Sequence, residues 1–139
     1  MFIGFPSCTF KCEKECGVKV CQNGTLATSP DIEIELSEIV ARYLNNRITE
    51  SIVVGGLEPF DSWDDLINLV GLIREKTLDD IVIYTGYYRN EIEEYINELA
   101  KFQNIVIKFG RFIPNKEKHY DKTLGICLAS DNQYAEKIS

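Results

Sequence analysis

Four of the chain's five cysteines, Cys8, Cys12, Cys16 and Cys21, crowd into one stretch, SCTFKCEKECGVKVCQNG. Thiolates are soft donors; they bind zinc and hold iron–sulfur clusters. A second group of chemically useful residues is GGLEP, Gly55 to Pro59. Adjacent glycines, Gly55 and Gly56, let a backbone approach a ligand closely. Glu58 is a carboxylate that accepts hydrogen bonds from an ammonium group. Each feature also has a plainer reading: the glycines as the turn after a strand, and Glu58 as a solvated acid beside a helix start.

The bulk numbers narrow the field. With 139 residues, 45% of them apolar, the chain is expected to be one domain over residues 1–139 with a buried core. Its 15 basic and 22 acidic residues leave a net charge of −7, opposite in sign to a nucleic-acid footprint. No stretch is long and apolar enough to span a membrane. The start, MFIGFPSC, carries neither the basic region nor the apolar run of a signal peptide, so a cytosolic protein is expected. Cytosolic thiols stay reduced, which favours metal or redox chemistry over disulfides for the cysteine stretch.

The elements that must position these residues alternate between strand and helix patterns. MFIGFP is a candidate first strand, and the cysteines follow it directly. DIEIEL (Asp31–Leu36) fits either a strand or a lead-in to the helix expected over Leu36–Asn46. SIVVGG (Ser51–Gly56) is a β-branched run stopped by glycines. A helix is expected over Asp61–Thr77, capped by Asp61, with Trp63, Leu66, Ile67, Val70 and Ile73 at helical spacing. DIVIYTG (Asp80–Gly86) is the next strand, and a helix over Asn90–Phe102 follows, with Asn90 and Glu93 as a capping box. NIVIKFG (Asn104–Gly110) is a further strand, and GICLAS (Gly125–Ser130) a candidate last one.

Strand–helix–strand units imply an α/β chain with parallel strands. Eight such units need about 200 residues or more, so a partial (βα) barrel or an open, curved, mostly parallel sheet is expected. In such sheets sites gather at the carboxyl ends of the strands. The cysteine stretch, GGLEP, the YTG that contains Thr85, and Gly110–Arg111 would then share one rim.

On these stretches, with GRFI and SDNQ near the end, the chain resembles the radical S-adenosylmethionine (SAM) superfamily, and within it the glycyl-radical activating proteins of anaerobic ribonucleotide reductase. The resemblance implies the small radical SAM type of fold and a 4Fe-4S cluster held by three cysteines. It also implies SAM bound at the open iron. Reductive cleavage of SAM would give methionine and a 5′-deoxyadenosyl radical, which takes a hydrogen atom from a glycine of the reductase large subunit. An electron donor such as flavodoxin or ferredoxin is implied as well.

The family spacing is Cys-x3-Cys-x2-Cys, with an apolar residue before the third cysteine and often Asn two after it. Cys8 and Cys12 match the first interval. Cys16 is preceded by Glu15 and followed at the Asn position by Val18, whereas Cys21 is flanked by Val20 and Asn23. The resemblance thus favours Cys8, Cys12 and Cys21, with Cys16 as the alternative third ligand. Gly56-Leu57-Glu58-Pro59 aligns with the family's Gly-Gly-Glu-Pro, which assigns Glu58 to the SAM amino group. Gly55 and Gly56 then belong to the SAM site, and Thr85 to the SAM ribose or carboxylate. Asn132 and Gln133 match a late motif without a firm role. Outside it, Cys127 reads as a buried apolar residue and His119 as a solvated loop residue.

Two other functions compete: a radical SAM enzyme for a small molecule or peptide, and a non-catalytic zinc or iron–sulfur module. Structural zinc sites usually pair two cysteine knuckles across a longer gap, and a zinc module leaves GGLEP unexplained.

Overall fold

The computed structural model describes residues 1–139. Five strands form one sheet: β1 (Phe2–Phe5), β2 (Ser51–Gly56), β3 (Asp80–Tyr84), β4 (Ile105–Phe109) and, after an intervening hairpin, β7 (Tyr134–Lys137). Their order is β1-β2-β3-β4-β7. The first four are parallel, and β7 joins β4 antiparallel. As expected, the sheet is mostly parallel, and it is not closed into a barrel.

Side-chain parity divides the sheet into two faces. Ile52 and Val54 of β2, Ile81 and Ile83 of β3, and Ile105, Ile107 and Phe109 of β4 are all buried. They pack with Val40 and Tyr43 of α3 (Leu36–Leu44), Leu66, Leu69, Val70 and Ile73 of α4 (Trp63–Arg74), and Ile96 and Leu99 of α5 (Glu93–Leu99). The residues between them, Val53, Tyr84 and Lys108, look to the other face, where the functional cavity lies.

The two ends of the sheet do different work. At the amino ends of the strands, Arg74 donates to the carbonyls of Gln103 (2.7 Å) and Thr77 (2.7 Å), and also to that of Asp79. It ties the entries to β3 and β4 together. At the carboxyl ends, Gly56 (φ 90) makes the turn out of β2, and a Cβ there would stand 2.9 Å from the Gly4 Cα. Only glycine fits that close approach.

Several sequence expectations change. DIEIEL is an extended lead-in, not a strand. Asp61 does not cap a helix: a short 3-10 turn over Pro59–Ser62 comes first, and the Glu58 carboxylate caps it by accepting from Phe60 N–H (3.3 Å). Asn90 and Glu93 form no capping box. The Tyr88 N–H donates instead to Glu91 (2.8 Å) at the 3-10 turn Arg89–Glu91. GICLAS supplies β6 (Ile126–Leu128), which pairs with β5 (His119–Asp121) in a separate hairpin rather than ending the main sheet. The hairpin screens the outer edge of β7: Ala135 N–H donates to Asp121 (2.9 Å), and its carbonyl accepts from Thr123 (3.2 Å). Cys127 is exposed, because strand parity places it on the outer side of this hairpin. His119 lies in a strand, half-buried, instead of in a solvated loop.

Candidate metal centre

The cysteine stretch is a folded loop, strapped to the strand ends residue by residue. Phe10 adopts the left-handed conformation (φ 52) and starts α1 (Lys11–Cys16). Gly17 (φ 71) ends it, its N–H donating to the Glu13 carbonyl (2.8 Å), as glycine does beyond a helix end. The Glu13 side chain then accepts from Cys21 N–H (3.3 Å), and Asn23 donates to the Gly56 carbonyl. A further short helix, α2 (Gly24–Ala27), follows. On the other flank Asp61 accepts from Thr9 N–H (2.6 Å) and from the Tyr87 hydroxyl (2.6 Å).

Ion pairs complete the strap. Lys11 reaches Glu91 (3.2 Å), and its ammonium lies 4.3 Å above the Tyr87 ring. Arg111, just past β4, donates twice to Glu91 (2.8 and 2.6 Å) and pairs with Glu15 of α1 (3.0 Å). That pairing holds the Glu91 carboxyl down at about 2, the Arg111 hydrogen bonds being the largest cause.

Inside the strap lies a cavity of about 320 Å³. Cys8, Cys12 and Cys21 line it; Cys16, at the end of α1, does not. Glu58, Thr85 and Gly56 also line it, while Gly55 stays in the sheet against Phe2 and Tyr84. Gly86 has no Cβ, and one built there would stand 3.2 Å from Cys12 Sγ and 3.6 Å from Glu58 Oε2. The missing atom leaves the room between thiol and carboxylate.

Burial dominates the protonation of these groups. It pushes the Cys8 thiol up to about 11, against the Phe10 N–H that donates to its sulfur (3.2 Å). It raises Cys12 too. Glu58 is 5% exposed, and burial pushes its carboxyl up to about 7. Three donors work the other way: Gly86 N–H (2.9 Å), the Thr85 hydroxyl (2.8 Å) and Phe60 N–H. Thr85 in turn accepts from Tyr87 N–H (2.9 Å), so its hydroxyl orients the carboxylate.

The profile of the 4Fe-4S single cluster domain family matches residues 2–134. The chain belongs to that family. No curated protein and no solved structure matches it. A 4Fe-4S single cluster domain needs thiolate ligands, and this one brings three thiols to one cavity. No three Cys, His, Asp or Glu side chains close on a single-ion cage. The three thiols line one cavity of about 320 Å³. Iron displaces the proton of a coordinating thiol, so the raised thiol values make assembly depend on pH without removing the donors. The donor chemistry and the space therefore fit a 4Fe-4S cluster.

The cluster domain contains a group that the reading of the motifs missed. Lys108 is 8% exposed and lines the cavity with Cys12 and Glu58. A signal was present in NIVIKFG: parallel strands usually read as continuous apolar runs, and a lysine inside one is an exception. Asn132 and Gln133 gain a structural role. Asn132 donates to the Arg111 carbonyl (2.8 Å) and Gln133 to the Gly110 carbonyl (3.2 Å), which holds the turn after β4.

No helix is long and apolar enough to cross a membrane.

Proposed function

We infer that this iron–sulfur domain has the small radical SAM type of fold and cleaves SAM reductively to place a glycyl radical on the large subunit of an anaerobic ribonucleotide reductase. The observation that supports this best is the composition of one cavity: three thiols, a buried carboxylate and a buried ammonium on the rim of a parallel sheet. Cys8, Cys12 and Cys21 hold the 4Fe-4S cluster, and Cys16 is a spare thiol outside the cavity. When bound and reduced by a flavodoxin- or ferredoxin-type donor, the cluster supplies the electron that breaks a carbon–sulfur bond of SAM.

The chain's own residues bind and orient. Glu58, aimed by Thr85 and Gly86, accepts the amino group of SAM; an ammonium there restores the charge that burial disfavours. Gly56 and Gly86 let the backbone approach. A cavity of about 320 Å³ is at the lower end for even one small ligand. A small third molecule has little room, which favours a macromolecular substrate that brings its own walls. Phe2, 60% exposed at the cavity's edge, is apolar surface such a partner would cover.

The test is anaerobic. The purified protein is reconstituted with iron and sulfide, reduced with dithionite, given SAM and assayed for 5′-deoxyadenosine, alone and with a candidate reductase. Formation of 5′-deoxyadenosine and of a glycyl radical signal in the reductase is expected. A loaded, reducible cluster that never yields 5′-deoxyadenosine, even with the partner, would refute the SAM reading.

A further inference from the structure

Lys108 has no structural reason to be where it is. It occupies the fourth position of β4, in the middle of the sheet between Tyr84 of β3 and Ala135 of β7. Every residue of β4 is buried. Its ammonium makes one hydrogen bond, to the Gly110 carbonyl (3.0 Å), which uses one of three donors. It takes part in none of the molecule's ion pairs. Burial pulls it down to about 8, while the charges of Cys12 and Glu58 act to raise it. A buried cation without an anionic partner costs folding free energy. Glu58 acts on it through space but forms no ion pair with it, so the charge stays available to an anionic group bound in the cavity.

The nearby alternative is already engaged. Arg111 is neutralised by Glu91 and Glu15, so its charge is largely spent on the strap. The cavity, by contrast, gathers three thiols and Glu58. Once iron deprotonates the thiols, the three thiolates outweigh the two positive charges of an oxidised cluster core, and an ionised Glu58 adds to the excess. Each electron added to it then deepens that charge. Cluster potentials respond to net charge, hydrogen bonds to sulfur and solvent exposure.

We propose that Lys108 is the internal counter-cation of this cavity, and that its fixed positive charge among Cys8, Cys12, Cys21 and Glu58 sets the reduction potential of the cluster bound there. The proposal rests on the cluster assignment to these thiols in the preceding reading and not on SAM cleavage. It makes Lys108 an electrostatic residue: it favours the one-electron-reduced state that a donor or dithionite produces. Parity gives it this place. A one-residue shift of β4 would turn Lys108 into the helix-covered core and bring Ile107 to the thiols.

The test compares Lys108→Met, Lys108→Gln and Lys108→Arg with the parent protein, all reconstituted anaerobically without SAM. Iron and sulfide per chain, the fold of the apo-protein by circular dichroism, and the midpoint potential by mediated titration are read together. Lys108→Met and Lys108→Gln should load as much iron as the parent but be at least tenfold less reduced at a fixed potential. For a one-electron couple that is a midpoint about 59 mV more negative. Lys108→Arg, which keeps the charge, should stay within about threefold of the parent.

Three results would overturn it: an unchanged potential in Lys108→Met at equal iron, an arginine variant displaced as far as the methionine one, or all three variants failing alike to fold or to load. A parent protein that loads and titrates but makes no 5′-deoxyadenosine would remove the SAM reading and leave this one intact. A parent that binds no cluster would remove both.

Discussion

Replacing Glu58 by Gln measures what the buried carboxylate costs. The native carboxyl titrates at about 7 against an ordinary 4.5. Between those values the folded protein keeps a proton that the unfolded chain has released. Stability therefore falls as pH rises from about 4.5 to about 7, and is level above. At about 1.36 kcal/mol per pKa unit, the whole loss is about 3 kcal/mol. Glutamine cannot ionise, but its amide nitrogen only donates, so Gly86 N–H on one side, or Thr85 and Phe60 on the other, lose their acceptor at every pH. Near pH 5 the Glu58→Gln protein should therefore be less stable than the parent by about 1–3 kcal/mol. Near pH 8 the difference should have moved by about 3 kcal/mol in the variant's favour, while affinity for SAM falls once the cluster is loaded. Urea unfolding of the reduced apo-protein, followed by Trp63 fluorescence at both pH values, reads the difference directly. Other titrating groups act equally in both proteins and cancel. A shift toward the variant as pH rises, with ligand binding lost, is what a carboxylate held for an ammonium should give. An offset equal at both pH values would refute the reasoning.

Among the cysteines, Cys8→Ser, Cys12→Ser and Cys21→Ser should each abolish the reconstituted cluster by iron and sulfide analysis, while Cys16→Ser keeps it; the reverse for Cys16 and Cys21 would exchange their roles. Gly86→Ala meets no backbone strain but places a Cβ 3.2 Å from Cys12 Sγ. It should leave apo stability within about 1 kcal/mol and reduce SAM affinity at least tenfold, and an unchanged titration would contradict it. Gly56→Ala combines φ 90 with a clash at 2.9 Å, so urea unfolding should show a loss of about 2–4 kcal/mol, and a loss below about 1 would argue against the close approach. Arg74→Ala removes bonds to the carbonyls of Thr77, Asp79 and Gln103. It should cost about 2–4 kcal/mol yet leave iron per folded chain unchanged, because Arg74 lies at the opposite end of the strands.

Local patterns alone located the parallel strands and the thiols. Runs such as SIVVGG and DIVIYTG carry β-branched side chains and their own stops, so β2 and β3 follow from neighbours in sequence. The same is true of the helix after DIEIEL, and of the cysteines' soft-donor chemistry, which depends on residue type. β7 was invisible, since YAEK has no apolar alternation; it is a strand because β4 offers it an edge and Asp121 and Thr123 cover the other side. Asp61 read as a helix cap, but two donors distant in sequence, Thr9 N–H and Tyr87, claim its carboxylate. Cys127 read as buried because it is apolar, and the hairpin's parity turned it outward.

The site divides in the same way. Which residues carry thiols, a carboxylate and flexible glycines is written in the chain. Which of them meet is a matter of distance in space. Cys21 reaches the cavity because Glu13 and Asn23 fold the residues after α1 back, and Cys16 is left outside at the end of a helix too short to be read from its pattern. Lys108 joins the thiols only because the sheet's parity sends it to the open face. Glu58 acquires its raised value only when packing removes water from it. Residue type sets what chemistry is available, whereas burial and long-range pairing decide which groups share one dielectric environment.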